Sequence, residues 1–365
     1  MKPKIWDQLN ISKHEFFIRK YSNITPEQRK KLDEKVARQR RLREERRKHE
    51  LGDNYNKPKP RLVLNPLSEY VYGTHAVLAA LEAGRRDAYS ALYLFNPKEH
   101  AERLLAQACR YGLKVVHKTN KGEMNTLSSN GVHNGVVLET KRLQVPLVAL
   151  LGADFDGIQG TYSVTTYDDA GGTETATTKT VARSVPPGRS RFPLGVYVDG
   201  VTDPVNLGSI VRSAYYLGAD FLVVPEVDSA RLGPVAAKAA AGALDLMPLY
   251  AAGVPLQFLD HSRKNGWAVV TASAEPSEQQ LEDLEEKHRR IFSAKIADAS
   301  DLPAILDLAP MLLVFGSEGT GVRTNVKLRS DFLVGLAKGR GEDKFVDSLN
   351  VGVAAGLVIS RCLDV

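Results

Sequence analysis

Five short, almost unbroken apolar runs mark the last third of the chain: Gly195 to Val198, Phe221 to Val224, Trp267 to Thr271, Leu312 to Phe315 and Phe332 to Val334. Helix-like segments separate them. Strands apolar on both faces belong in a parallel sheet covered on both sides, so the spacing predicts a parallel α/β domain over residues 194–365. Ligands of such sheets sit beyond the carboxyl ends of the strands, in the loops. Upstream, residues 62–145 read as a smaller α/β unit. Its helices are expected over Thr74 to Leu81 and Glu102 to Tyr111, and its strands over Ala91 to Phe95, Leu113 to His117 and Gly135 to Glu139. Residues 146–193, rich in Thr, Gly and Ser and ending in Pro186-Pro187-Gly188, predict an irregular linker or surface insertion. A hairpin pairing Tyr162 to Thr166 with Thr173 to Val181 about the Asp168 to Gly172 turn is the regular alternative there.

The first 61 residues follow neither pattern. Thr25, Pro26 and Gln28 supply an N-cap, a first-turn proline and a capping-box partner, and the chain then reaches Leu51 without Pro or Gly. One helix of about 25 residues, roughly 37 Å long, is expected. Its apolar positions, Leu32, Val36, Leu42 and Leu51, are too few for a buried stripe. Gly52 to Arg61, with Pro58 and Pro60, reads as a linker. The 365-residue chain carries a net charge of +6, and its distribution sharpens the picture. Residues 1–60 hold 18 Lys and Arg against 9 Asp and Glu, leaving 31 against 34 for the rest. All of the positive balance therefore lies in this basic arm, which is a solvated helix, an RNA-contacting element or a protein-docking one.

The two cysteines, Cys109 and Cys362, make no disulfide framework and have no zinc-ligand spacing, which fits a reducing compartment. No run approaches about 18 uninterrupted apolar residues, so no membrane span is expected. The eight histidines form no H-x-x-x-H pair, and no metal is expected. Asp7 and Glu15 interrupt the basic N-terminus, unlike an acid-poor transit peptide.

Three loops of the last third carry the chemistry. Val198-Asp199-Gly200 is followed by Asn206, Gly208 and Arg212, an amide and a guanidinium around a helix start expected near Leu207. That pairing suits a phosphate or a developing alkoxide; an ordinary Asn cap with a surface Arg is the plainer reading. Gly316-Ser317-Glu318-Gly319-Thr320-Gly321, then Arg323, exposes backbone groups after a buried strand. Its spacing fits neither the dinucleotide nor the P-loop fingerprint, and Ser317 is not in a nucleophile elbow. Asp347-Ser348-Leu349-Asn350-Val351 opens a helix of small residues, either as a cap or as a site.

Taken in order, N-x-G-x-x-x-R at Asn206 to Arg212, F-G-S-E-G-x-G at Phe315 to Gly321 and S-L-N-V at Ser348 to Val351 resemble the motifs of the SpoU family of RNA 2′-O-ribose methyltransferases, in the SPOUT superfamily. Val71 to Val77 and Asn134 to Val137 resemble that family's small RNA-binding domain, related to a ribosomal protein fold. With the basic arm and the Gly339 to Lys344 insertion, the resemblance extends to the fungal mitochondrial enzymes that methylate a guanosine ribose of large-subunit ribosomal RNA.

The resemblance implies an α/β fold with a C-terminal parallel sheet containing a trefoil knot, a rare exception to ordinary topology. It further implies S-adenosylmethionine as cofactor, large-subunit rRNA as partner, a homodimer with shared sites, and a mitochondrial location. Carried over, cofactor contacts fall on Gly316, Leu336 and Leu349. Catalytic and RNA-facing positions fall on Asn206, Arg212, Glu318, Ser348 and Asn350. The chain departs from the family at Leu336-Ala337-Lys338, where Ile-Pro-Met is frequent, and at Gly352, where a second Ser is frequent. A non-catalytic ribosome-assembly factor keeping the fold is the alternative, with the first departure as its support. A nicotinamide oxidoreductase lacks its glycine fingerprint, since the first strand runs into Val198-Asp199-Gly200-Val201.

Overall fold

The computed structural model describes residues 64–339 and 348–365, except 98, 157, 159, 170–173, 184–190, 274–285 and 318, together with a few of the first 63. The chain divides into two units, Met1–Val63 and Leu64–Val365. In the first, Glu34, Ala37, Arg38, Arg41 and Leu42 are helical and exposed; the rest of the expected arm helix lies outside the described residues.

The second unit opens with a four-stranded sheet. Strands β1 (Glu69–Tyr72), β2 (Tyr89–Leu94), β3 (Lys114–His117) and β4 (Val136–Thr140) lie in the order β1-β4-β2-β3, β4 antiparallel to both neighbours and β2 parallel to β3. Helices α1 (Thr74–Ala83), α2 (Ala101–Arg110) and α3 (Lys121–Leu127) complete it. Val77, Leu81 and Leu104 of the first two meet Val71, Leu92 and Leu138 of the sheet in one buried core. Elements expected from periodicity are present with ends shifted by a residue or two.

A ten-stranded sheet follows, in the order β12-β14-β11-β13-β8-β9-β10-β5-β6-β7. Its strands are β5 (Leu147–Asp156), β6 (Thr161–Asp169), β7 (Glu174–Ala182), β8 (Leu194–Asp199), β9 (Phe221–Pro225), β10 (Leu249–Ala252), β11 (Ala268–Ala272), β12 (Ile296–Ala297), β13 (Met311–Gly316) and β14 (Phe332–Val334). From β12 to β5 every neighbour pair is parallel. The helices are α4 (Pro204–Leu217), α5 (Pro234–Ala239), α6 (Ala243–Leu246), α7 (Pro255–Lys264), α8 (Glu286–Ser293), α9 (Leu302–Leu308), α10 (Thr324–Arg329) and α11 (Val351–Leu363). Every residue of β8, β9 and β13 is buried. Val196, Val198, Leu313 and Phe315 face the core shared with α4 and α11, while Tyr197, Leu312 and Val314 face that of α7 and α10. Continuous apolar runs therefore mark strands packed on both sides.

Where an irregular linker was expected over 146–193, the described residues form three strands, and β6 with β7 is the hairpin given as the regular alternative. There β5 pairs with β10 in parallel, and β6 and β7 extend the sheet antiparallel with Asp169 opposite Glu174. Tyr162 is buried and stacks on Phe221 with ring centroids 4.9 Å apart, and Trp267 Nε1 donates to the Gly152 carbonyl at 2.9 Å. The Thr-rich composition misled because threonine is polar by class yet β-branched, and so favours strands.

The small sheet is fastened to the large one by a buried ion pair. Arg86 donates from Nε to Asp245 Oδ1 at 2.7 Å and from Nη2 to Oδ2 at 3.2 Å, with both side chains fully buried. Arg86 also reaches the Lys141 carbonyl, and Arg85 the Met247 carbonyl. A buried charge needs this density of partners to offset its lost hydration.

Candidate functional site

The sheet runs outward from β8 through β9 to β10, then resumes beyond β13 with β11 before β13 fills the gap beside β8. The order thus reverses between β8 and β13, where an open parallel sheet leaves a crevice at its carboxyl edge. Both relevant loops leave from that edge. A Cβ built on Gly200, after β8, would stand 4.0 Å from Ser317 Cβ, after β13, so the two loops touch.

Helix α4 begins earlier than expected, and its cap is not Asn206. Asp203 accepts from Val205 N at 3.0 Å, and Pro204 takes the first turn, where a missing N–H costs nothing. Asn206 therefore lies inside the first turn with its side chain available for other work. Asn350 Nδ2 donates to Asn206 Oδ1 at 2.9 Å, joining loops 144 residues apart. Asn350 caps α11 as well, accepting from Gly352 N at 2.9 Å. The cap and site readings of Asn350 are thus both true, since one amide end serves each. Arg212, two turns further along α4, is exposed. Ser348 and Leu349 lie exposed at the mouth of α11. Glu318 lies outside the described residues.

Glycines let α11 and α5 approach α4 closely. A Cβ on Gly352 would come within 2.8 Å of Ser209 Cβ, and one on Gly208 within 2.5 Å of the Ala236 carbonyl. Gly208 therefore admits neighbouring backbone rather than a ligand. At Gly352 the departure from a family serine has a steric cause, because Ser209 occupies the space.

The second loop folds back on itself. Ser317 N donates to the Gly321 carbonyl at 3.2 Å and Gly321 N to the Ser317 carbonyl at 2.9 Å, with the Ser317 and Thr320 hydroxyls 2.8 Å apart. Gly316 lies beneath the ring, where a Cβ would meet Val322 N at 2.2 Å. The loop exits through Arg323, whose backbone N–H and guanidinium all bond Asp199 at the end of β8. These hydrogen bonds raise the Arg323 pKa, and burial, then the Asp199 charge, pushes the phenol of Tyr197 up.

S-adenosylmethionine requires backbone donors and acceptors for its adenine and apolar cover for the ring. Among the described residues, the backbone of Leu336, Ala337 and Lys338 has no hydrogen-bond partner. Leu336 is half-buried against the core and Leu349 is half-exposed. These residues fit the cofactor, and the Leu336-Ala337-Lys338 departure leaves the backbone edge open.

Sequence reasoning did not find Asp199, Arg86 or Asp245 as buried charges, because no local pattern distinguishes a buried carboxylate from a surface one. Nor did it find His75, Glu99 and His100, whose ligand-type atoms lie within 4.8 Å of one another on the surface of the small α/β unit. All three are exposed and belong to the small α/β unit rather than to the β8 and β13 loops.

Comparison with known proteins fits this geometry. The profile of the SpoU rRNA methylase family matches residues 193–360, and that of the RNA 2′-O ribose methyltransferase substrate-binding domain matches 70–146. The Saccharomyces cerevisiae protein named rRNA methyltransferase 1, mitochondrial, is 34% identical over 99% of this chain and 89% of its own length. The Pseudomonas putida protein named 23S rRNA (guanosine-2′-O-)-methyltransferase RlmB is 30% identical, over 80% and 94%. Among solved structures, the AdoMet-bound rRNA methyltransferase of Sinorhizobium meliloti superposes with a TM-score of 0.53 at 18% identity, covering 81% of this chain and 87% of the other. The SpoU methyltransferase AviRb of Streptomyces viridochromogenes gives 0.53 at 19%, covering 82% and 89%. At these identities the superpositions speak for the fold.

Proposed function

Because the chain belongs to the SpoU rRNA methylase family, we propose that it methylates the 2′-oxygen of a guanosine ribose in mitochondrial large-subunit ribosomal RNA, with S-adenosylmethionine as donor. The observation that carries the site assignment is the Asn350 to Asn206 hydrogen bond, which joins the first and third motifs beside exposed Arg212. The nucleoside and the compartment follow the names of the relatives. The alternative of a non-catalytic assembly factor rested on Leu336-Ala337-Lys338, and the relatives named above, methyltransferases by name, speak against it.

When bound, S-adenosylmethionine would supply an electrophilic methyl group on a sulfonium. Leu336 and Leu349 would offer apolar cover, the backbone of residues 336–338 would offer donors and acceptors, and Gly316 keeps the second loop tight. A guanidinium is no literal base, so Arg212 acts otherwise. Its guanidinium holds the phosphate next to the target ribose and stabilises the negative charge that develops on the 2′-oxygen as its proton leaves, before that oxygen takes the methyl group. The 2′-hydroxyl proton passes to an oxygen of that phosphate. Asn206, Asn350, Ser348 and Glu318 orient the ribose by hydrogen bonds. No step requires a metal ion.

The protein acts as a homodimer in this reading. Leu349, just before the α11 cap, and Val353 and Leu357 on α11 are spaced by four and are 51%, 53% and 49% exposed. Val205 and Tyr216 are exposed on α4, which packs against α11 through Ser209 and Gly352. An apolar face of this kind beside the site suits a second copy related by a twofold axis. The chain crossing from β14 back through α11 to α4 is the region in which the family's knot is expected.

The test is a map of 2′-O-methyl groups on organellar and cytoplasmic large ribosomal RNA from cells with and without this protein. One guanosine methyl lost from the organellar RNA is the expected result. Unchanged maps would overturn the reading.

A further inference from the structure

We propose that Asp199 and Arg323 form a positioning pair that holds the Gly316–Val322 loop in its ligand-receiving shape before cofactor or RNA arrives. The inference rests on the reading of that loop as part of the methyl-transfer site. It starts from Asp199, the last residue of β8, whose carboxylate is wholly shielded from solvent. A buried carboxylate without donors is strongly disfavoured. Three hydrogen bonds reach it from one residue: Arg323 N donates to Oδ2 at 3.0 Å, while Nε, at 2.9 Å, and Nη2 donate to Oδ1.

Arg323 is the place where the loop ends. The Ser317 to Gly321 ring has one root in β13 and the other in Val322-Arg323, immediately before α10. The first root is fixed by the sheet. The second is fixed by Asp199, on the neighbouring strand, from which the chain continues to Asn206 and Arg212. The pair therefore ties the loop containing Glu318 to the loop that leads to Arg212. Half of the Arg323 side chain is exposed, so the pair sits at the rim of the crevice rather than in the core. Three glycines in six residues give this loop little stiffness of its own. A two-point fork plus a backbone bond is geometry that lysine cannot copy.

The experiment compares the full-length wild type with Arg323→Gln, Arg323→Lys, Asp199→Asn and the Asp199→Asn/Arg323→Gln double variant. It measures S-adenosylmethionine affinity by calorimetry, kcat and KM on ribosomal RNA, and hydrogen exchange over residues 316–323. Arg323→Gln should lose on the order of tenfold to a hundredfold in cofactor affinity and kcat, with KM for RNA unchanged. Exchange should quicken within 316–323 and not in β8. Arg323→Lys should recover only part of the loss, and the double variant should be no worse than the worse single one. Full cofactor affinity in Arg323→Gln, or losses that simply add in the double variant, would overturn the proposal. If Asp199→Asn does not fold, the two Arg323 variants decide it alone. Failure of the functional reading would show separately, as a wild type that methylates no ribosomal RNA, and cofactor affinity and exchange would then still decide the pair.

Discussion

Arg212 is exposed on α4, and no hydrogen bond or ion pair fastens it among the described residues. A side chain in that position adds little to stability, so its removal separates function from fold. Arg212→Ala should lower methylation about 10²- to 10³-fold, as loss of one transition-state donor does, with the thermal midpoint unchanged. Turnover at the wild-type rate would sink the assignment. Cys362 offers the opposite case, a buried group with no part in the chemistry. Burial pushes its thiol up from 9.0 to about 12, whereas Cys109 is exposed. One thiol per chain should react with a disulfide reagent in the native protein and two after denaturation. The raised value favours the protonated thiol in the folded state, so this contribution is complete below pH 9.0 and is lost as pH rises toward about 12. Unfolding midpoints measured from pH 8 to 11 in the wild type and in Cys362→Ala should converge at the alkaline end.

The contact of α4 with α11 decides whether the first and third motifs meet. Gly352 and Gly356 both face α4, but a Cβ at 352 would stand 2.8 Å from Ser209 Cβ, while one at 356 would stand 3.6 Å from Ser213 Oγ. Gly352→Ala should therefore cost about 1–3 kcal/mol by overpacking. Gly356→Ala should stabilise by up to about 1 kcal/mol, since alanine is the better helix former. Urea denaturation of the two variants checks both signs, and Gly352→Ala should also lower methylation by pushing Asn350 from Asn206. The strands around this contact were legible because burial on both faces writes itself as an apolar run, as in β8, β9 and β13. The three motif loops were legible as unusual residue clusters at strand ends. The hairpin of β6 and β7 was legible only as an alternative, because Tyr162 and Val164 give one short alternation in β6 and the threonines around them are polar by class. The Asp199 to Arg323 pair was not legible, since it joins residues 124 apart whose proximity only the strand order creates. The start of α4 was misplaced by three residues because Asn206 and Asp203 are both good caps, and Pro204 decides for Asp203 only once the first turn is known.

Over the whole molecule, RNA recognition and methyl transfer are charged differently. The Arg86 to Asp245 pair fastens the small sheet to the large one, so within residues 64–365 the RNA-binding and catalytic parts present one joined surface. This part of the chain has little net charge of its own, because residues 64–365 carry 30 basic against 34 acidic side chains. The net attraction to a polyanion is then expected from residues 1–60, with their surplus of nine positive charges. Each phosphate neutralised by an arm cation releases a condensed counterion, so affinity for RNA should fall steeply with salt, by a log–log slope of about 0.7 per contact on single strands. Deleting residues 1–60 should weaken RNA binding at least about tenfold near 0.1 M salt and flatten that slope. S-adenosylmethionine affinity should not change, because Gly316, Leu336 and Leu349 all lie in the other unit. Filter binding of ribosomal RNA fragments over a salt series, beside calorimetry with the cofactor, measures both. An unchanged slope after the deletion would mean that the arm is a solvated helix and that the nearly neutral surface recognises RNA by shape and base contacts alone.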